Sequence, residues 1–437
     1  MKTALRVFPD VLIIVVRAVT ELVAEQRFER QSGFFSIQTQ GARMKPSWDI
    51  FCSVVDNYGD AGVTWRLARQ LVAEHDVQVR LWIDDLAAFV RLCPDADPCA
   101  SQQLREGVSV CRWPADWVST TVPDVVIEAF ACRLPTPYTE SMLQRSPRPL
   151  WLNLEYLSAE DWVSGCHALP SPQMNGLKKF FFFPGFADTT GGLLRERNLI
   201  IQRQAFQQNK ALQQAFLQEL NVEPLAGARL ISVFAYENPR LDSWLDALAS
   251  DSRPTHLLVP EGRILADVQR WLGGEGELHA GMVQARGTLT VQVLPFIRQE
   301  RYDQLLWSCD FNVVRGEDSF VRAQWAGRPM LWHIYQQEED AHLPKLDAFL
   351  SLYLAGLGPE AAQAVNHFWQ SWNTGCDLSE SWQALTGTGR KSKNTPNAGA
   401  SNKPHRLILP RRWCSFTRRQ AIKWGCCPMI YIGFAPK

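Results

Sequence analysis

The chain has 437 residues, 46% hydrophobic and 21% charged, which suffices for two domains with separate cores and excludes a wholly disordered protein. The formal net charge of zero hides an asymmetry. Residues 388–437 hold eleven Lys or Arg and no Asp or Glu, residues 1–43 hold six basic and four acidic side chains, and residues 44–387 keep 28 basic against 41 acidic. So acidic a body argues against nucleic acid as its main partner.

Residues 1–43 carry a short apolar run, Val11 to Val16, preceded by Pro9 and Asp10. It is too short to span a bilayer, and Arg17 and Glu21 follow too soon for a signal-peptide cleavage site. Met44 stands directly before a strand-like run and is a candidate start of the folded body. The tail from Thr386 onward lacks helical or strand periodicity and is expected to be disordered. A terminus unrelated to the fold, such as a shifted reading frame, explains it better than a nucleic-acid-binding arm. The 11 cysteines follow no CxxC or Cys/His spacing, which points to free thiols in a reducing cytoplasm. Tryptophan is abundant at 17, consistent with core filling or aromatic-lined clefts.

Trp48 to Val55 predicts a buried first strand, Asp56 to Gly62 a polar glycine-punctuated turn, Val63 to Glu74 a helix, and Val77 to Ile83 a second strand. This order opens a doubly wound α/β domain, whose ligands bind at the carboxyl edge of the sheet. Asp56 and Asp60 share the first loop. One could serve as general base while the other orients it or the substrate; both could instead be ordinary turn and cap residues. The loop is not a GxGxxG dinucleotide motif, having only Gly59 and Gly62. Asp124–Phe130 and Pro149–Tyr156 read as further strands. Glu128 and Glu155 lie near their ends, solvated or along the same edge. Leu169–Pro172 reads as a loop and Phe180–Phe183 as a buried strand.

The pattern then restarts. Residues 204–220 predict one polar helix, Leu230–Tyr236 a strand, Leu241–Ala249 a helix, Thr255–Val259 and Leu289–Pro295 strands. Phe311–Val314 reads as a strand, broken by Arg315-Gly316-Glu317. Asp318 or Ser319 would cap a helix reaching Ala326, ended by Gly327, before a strand at Pro329–Trp332. A helix N-terminus at such a turn favours an anion, Arg315 adds a charge suited to phosphate, and Glu317 can accept from sugar hydroxyls. Phe234, Tyr236 and Phe296 end strands on the same edge and could stack on a base or pack the core. Leu343–Leu357 and Gly358–Trp372 read as closing helices.

Asp56-Asn57-Tyr58-Gly59-Asp60-Ala61-Gly62-Val63 and Arg315-Gly316-Glu317-Asp318-Ser319-Phe320-Val321-Arg322-Ala323-Gln324-Trp325-Ala326-Gly327 resemble the EarP family, bacterial protein-arginine rhamnosyltransferases that modify translation elongation factor P. Phe181-Phe182-Phe183-Pro184-Gly185-Phe186 and Phe234-Ala235-Tyr236-Glu237 resemble it too. The likeness covers about residues 44–387. It implies a GT-B fold of two Rossmann-like domains facing across a cleft. The implied division is an extension over 1–43, an acceptor and catalytic domain over 44–190, a nucleotide-sugar domain over 191–360, a closing helix over 361–387 and the basic tail over 388–437. It implies inverting transfer of rhamnose from TDP-β-L-rhamnose to an arginine of elongation factor P in the cytoplasm, with no metal, no nucleic acid and no membrane. By this resemblance Asp56 and Asp60 are catalytic, Asp60 as base. Arg315, Glu317, Asp318 and Ser319 bind the nucleotide sugar, and Phe234, Tyr236, Phe296 and Gln299 line the base and phosphate pocket. The other readings are a glycosyltransferase with a small-molecule acceptor and a non-catalytic nucleotide-sugar-binding protein. A lipid acceptor is disfavoured because the body shows no basic amphipathic helix.

Overall fold

A computed structural model describes residues 45–54, 58–117, 120–273 and 276–387. The chain divides into two compact units between Glu196 and Arg197.

The first unit is built on an eight-stranded sheet in the order β3-β4-β2-β1-β5-β6-β8-β7. Its strands are β1 (Ser47–Cys52), β2 (Gln78–Ile83), β3 (Gln102–Arg105), β4 (Val108–Arg112), β5 (Val125–Ala129), β6 (Leu150–Leu154), β7 (Pro170–Pro172) and β8 (Lys178–Phe182). All pairings from β4 through β8 are parallel, and β3 and β7 run antiparallel at the two edges. Central parallel strands are covered on both faces, which is why β1 and β5 read as unbroken apolar runs. One face packs Phe51, Trp82, Val126, Tyr138, Met142 and Trp151 together. Within it Asp49 is bonded by Arg80 Nε at 2.6 Å and by the Tyr138 hydroxyl at 2.6 Å.

Three expectations need correction here. Pro170–Pro172 is a short edge strand rather than a loop, and an edge is where a sheet tolerates proline. Phe180, Phe181 and Phe182 are half-buried and only Phe183 is buried, since this strand lies next to that thin edge. The helix after β1 begins at Gly59 and ends at His75, so it takes in most of the turn.

The second unit holds a six-stranded sheet in the order β11-β12-β10-β9-β13-β14. The strands are β9 (Arg229–Val233), β10 (Thr255–Pro260), β11 (Val283–Arg286), β12 (Leu289–Leu294), β13 (Phe311–Arg315) and β14 (Met330–His333). Only β11 is antiparallel to its neighbour. The helix expected over 204–220 is two helices, Leu199–Gln208 and Lys210–Glu219. Asn209 divides them, its side chain accepting from the amides of Ala211 and Leu212 as a new cap. The helices His342–Leu354 and Pro359–Thr374 match their expected positions within a few residues, and Ser379–Thr386 adds another. Trp244 meets Trp372 and Trp382 with ring centroids 5.2 and 5.6 Å apart, and Trp382 meets Phe311 at 5.6 Å. These tryptophans fill the core and fasten the last two helices to it.

Among the described residues the cysteines are free thiols, and no helix is long and apolar enough to cross a membrane.

Candidate active site

Both sheets reverse their winding at the first strand of the unit. In the first unit β2 lies on one side of β1 and β5 on the other; in the second, β10 and β13 flank β9. Chains leaving the carboxyl ends of two such neighbours diverge and leave a crevice, where doubly wound folds bind ligands. The candidate residues gather at these two points, one in each unit.

Asp60 is the second residue of the helix Gly59–His75 and is 3% exposed. This corrects its expected place in a loop. Gly62 already donates its amide to the Tyr58 carbonyl at 2.8 Å, and the Thr64 hydroxyl bonds the Asp60 carbonyl at 2.9 Å, so both are helical rather than turn-forming. The Asp60 carboxylate thus sits at the positive end of the helix. Tyr156, just past β6, donates its hydroxyl to Asp60 Oδ1 at 3.3 Å. Asp56, the other expected catalytic acid, lies outside the described residues.

The same edge carries a hollow of about 540 Å³ lined by Ser53, Asp84, Trp113, Phe130 and Arg133, among others. Asp84 accepts from the Ser53 hydroxyl at 2.5 Å and from the Val54 amide at 2.9 Å, which fixes the chain where it leaves β1. Phe130 and Ala131, following β5, both have φ of 55°. Two successive left-handed non-glycine residues are costly and cluster at functional sites. The Phe130 ring stacks on Tyr156 with centroids 4.5 Å apart and planes at 18°.

Glu128 does not line this edge as a solvated group. It is 4% exposed and bonded by Lys179 at 3.1 Å and by the Trp151 indole at 3.1 Å. Burial raises its pKa against the pull of Lys179. Glu155 is half-buried and accepts from Asn153; burial raises it too, again opposed by Lys179.

In the second unit Arg315 closes β13 and is 6% exposed. Its guanidinium lies 4.7 Å from the ring centroid of Phe234 and 4.7 Å from that of Tyr236, two residues that follow β9. Gly262 backs Phe234 so closely that an added Cβ would approach the ring to 3.3 Å. The turn after β13 is fixed by Gly316 at φ 59° and by the Trp332 indole donating to the Gly316 carbonyl at 2.9 Å. The helix Asp318–Ala326 follows, with Glu317 as N-cap and no side-chain cap bond. Neither Asp318 nor Ser319 is the cap that their residue types suggest. Ser319 instead accepts from the Arg315 amide at 3.2 Å and donates to the Arg315 carbonyl, locking the turn onto the strand. Asp318 accepts from Gln299 Nε2 at 3.0 Å, and Glu317 pairs with Lys345 at 3.6 Å. Phe296 is half-buried, its amide donating to Glu261 at 3.3 Å.

Three residues that sequence reasoning passed over complete this site. His333 is the β14 partner of Arg315 in register and packs its ring against Tyr236 at 5.4 Å. Burial, reinforced by the Arg315 charge, pulls its pKa down to about 3, so the imidazole is neutral. Arg263 lies 5.5 Å from the Tyr236 centroid and pairs with Glu237 at 2.8 Å. Tyr302 meets Phe234 edge-on at 6.0 Å, and burial pushes its phenol up. In the first unit Phe130 and Tyr156 were read only as the last residues of strands. Their position at the carboxyl end of neighbouring strands was the signal available.

Chemically, the second unit offers a rigid cation and a helix N-terminus, a fit for the phosphates of a nucleotide. The first offers a carboxylate able to take a proton.

Over residues 48–409 the sequence matches the family described as Elongation-Factor P (EF-P) rhamnosyltransferase EarP. The match runs past residue 387, where the sequence reading ended the likeness. The chain is 63% identical to the protein-arginine rhamnosyltransferase of Pseudomonas putida over 341 residues, covering 78% of this chain and 90% of that protein. It is 58% identical to that of Pseudomonas aeruginosa over 339 residues, with 78% and 90% covered. A solved structure described as the structural basis for EarP-mediated arginine glycosylation of translation elongation factor EF-P shares 43% identity and a TM-score of 0.57, covering 87% of this chain and 94% of that one. The two mainly parallel sheets are those of a GT-B glycosyltransferase. The chain therefore belongs to the EarP family and is a glycosyltransferase, a protein-arginine rhamnosyltransferase.

Proposed function

We propose that the donor is TDP-β-L-rhamnose, that the acceptor is one arginine of elongation factor P, and that transfer inverts the anomeric centre. The acceptor reading is supported by the family description and by the related solved structure, both of which name that factor. The observation that carries the donor half is the Arg315 guanidinium held by Phe234 and Tyr236 beside an N-terminus without a side-chain cap. A cation so fixed needs no reorganisation to meet a diphosphate. Gln299, Asp318, Ser319 and Glu317 surround the same turn and serve the sugar nucleotide, with Phe296 as a further wall of the base pocket.

Asp60, aided by Asp56, carries the acceptor half. A protonated guanidinium is a poor nucleophile. As its nitrogen bonds to C1 of rhamnose from the face opposite the diphosphate, the C1–O bond breaks and its electron pair leaves on the diphosphate. The nitrogen's proton passes to the Asp60 carboxylate. An α-linked rhamnosyl-arginine and TDP result. Arg315 and the helix N-terminus take up the charge that grows on the leaving group, so the transfer needs no metal. Neither nucleic acid nor membrane is a partner, and the reaction belongs in the cytoplasm with its acceptor.

Two variants separate the halves. Asp60→Asn is expected to abolish transfer while donor binding, read by calorimetry, stays within about twofold. Arg315→Ala is expected to weaken donor binding. Full transfer by Asp60→Asn, or unchanged donor affinity in Arg315→Ala, overturns the corresponding role.

A further inference from the structure

We infer that Tyr156 is a positioning residue for Asp60, and that Phe130 is the platform that holds it there. This rests on the reading of Asp60 as the base that accepts the arginine proton. Tyr156 lies just past β6, Phe130 just past β5, and these are adjacent strands. The Phe130 amide donates to the Leu154 carbonyl at 2.7 Å, tying the two strand ends together. The left-handed backbone at Phe130 and Ala131 turns the chain sharply there. The Phe130 ring then lies flat against Tyr156.

Tyr156 is 40% exposed, whereas Asp60 is 3% exposed. The phenol therefore connects an otherwise covered carboxylate to the surface that an incoming protein side chain must approach. At 3.3 Å the hydroxyl–carboxylate bond is longer than the 2.7–2.8 Å usual for such a pair. Contacts of this kind commonly shorten when substrate fills the site. A hydroxyl donating to Oδ1 restrains rotation of the carboxylate and so holds it in one orientation for the guanidinium. A donor to the charged form also makes the carboxylate a weaker base. Together these effects trade basicity for alignment.

The test compares wild type, Tyr156→Phe and Asp60→Asn in transfer to elongation factor P with TDP-rhamnose, across pH. Tyr156→Phe keeps the stacked ring and removes only the hydroxyl. A fall in kcat of about tenfold is expected, with donor KM unchanged. The acidic limb of the kcat profile should move to higher pH by roughly half a unit to one unit. Phe130→Leu, which removes the flat platform but not the hydroxyl, should show a smaller loss of kcat in the same direction. A Tyr156→Phe enzyme with wild-type kcat and pH profile, alongside an inactive Asp60→Asn, overturns the positioning role and leaves the base assignment standing. A raised acceptor KM with an unmoved pH profile also overturns it, marking Tyr156 as an acceptor contact. An active Asp60→Asn removes both readings together.

Discussion

The guanidinium of Arg315 lies 4.7 Å from the ring centroid of Tyr236, although 79 positions separate them in sequence. With Phe234 at the same distance, two aromatic faces contact one planar cation. Each such contact is worth roughly 0.5–2 kcal/mol, more when water is excluded. The rings thus set the orientation of a charge that a flexible surface arginine would not hold still.

Arg315→Lys keeps the charge and loses the planar, stacked fork. Donor affinity by calorimetry is expected to fall about tenfold, less than for Arg315→Ala. Equal affinity for the lysine variant and the wild type would show that charge alone is sufficient.

His333 ties this site to pH. Its pKa is pulled from 6.5 to about 3 in the folded protein. Below pH 6.5 the unfolded chain binds a proton there that the folded chain refuses, so stability falls as pH drops. Down to about pH 3 the cost is up to ~1.4 kcal/mol per unit; above pH 6.5 His333 contributes no pH dependence. Urea unfolding of wild type and His333→Gln at several pH values between 7.5 and 5 checks this. The variant should lose stability less steeply on acidification, and parallel slopes would contradict the assignment.

Asp303 on the helix Gln299–Ser308 and Arg322 on the helix Asp318–Ala326 form an ion pair of very low exposure, with Arg322 Nε 2.7 Å from Asp303 Oδ1. Asp303→Ala takes away the carboxylate that two guanidinium nitrogens of the buried Arg322 bond, so it should destabilise the second unit by about 3–5 kcal/mol. A loss below about 1 kcal/mol in urea unfolding would mean that water or another group reaches Arg322.

Most of the parallel strands of both sheets could be read from the sequence, because central parallel strands must be apolar on both faces and glycines and prolines punctuate them, whereas β3, β4 and β11 were not expected and β7 was expected as a loop. Leu241–Ala249 was expected and found as a helix over the same residues. The start of the helix carrying Asp60 was not legible. Gly59 and Gly62 disfavour a helix by about 1 kcal/mol each, and tertiary packing outweighs that. Asn209 hid for the opposite reason, since a polar residue inside a periodic run can be a cap. Arg315, Asp318 and Ser319 stood out as a motif. The contacts of Arg315 with Tyr236 and His333, and of Asp60 with Tyr156, depend on which strands lie side by side. Periodicity carries no information about strand order.

Charge neutralisation by Arg315 and the helix N-terminus should make transfer independent of divalent metal. Excess EDTA is expected to leave the initial rate within about 20% of its value without chelator. A rate that collapses with EDTA and returns with Mg²⁺ would assign part of that neutralisation to an ion.

Intact mass of elongation factor P after incubation with this protein and TDP-rhamnose tests the proposed reaction most directly. A gain of one deoxyhexose is expected, lost when the acceptor arginine is replaced by lysine and absent with other sugar nucleotides. An unmodified factor in the presence of active, donor-binding enzyme contradicts the assignment of donor and acceptor.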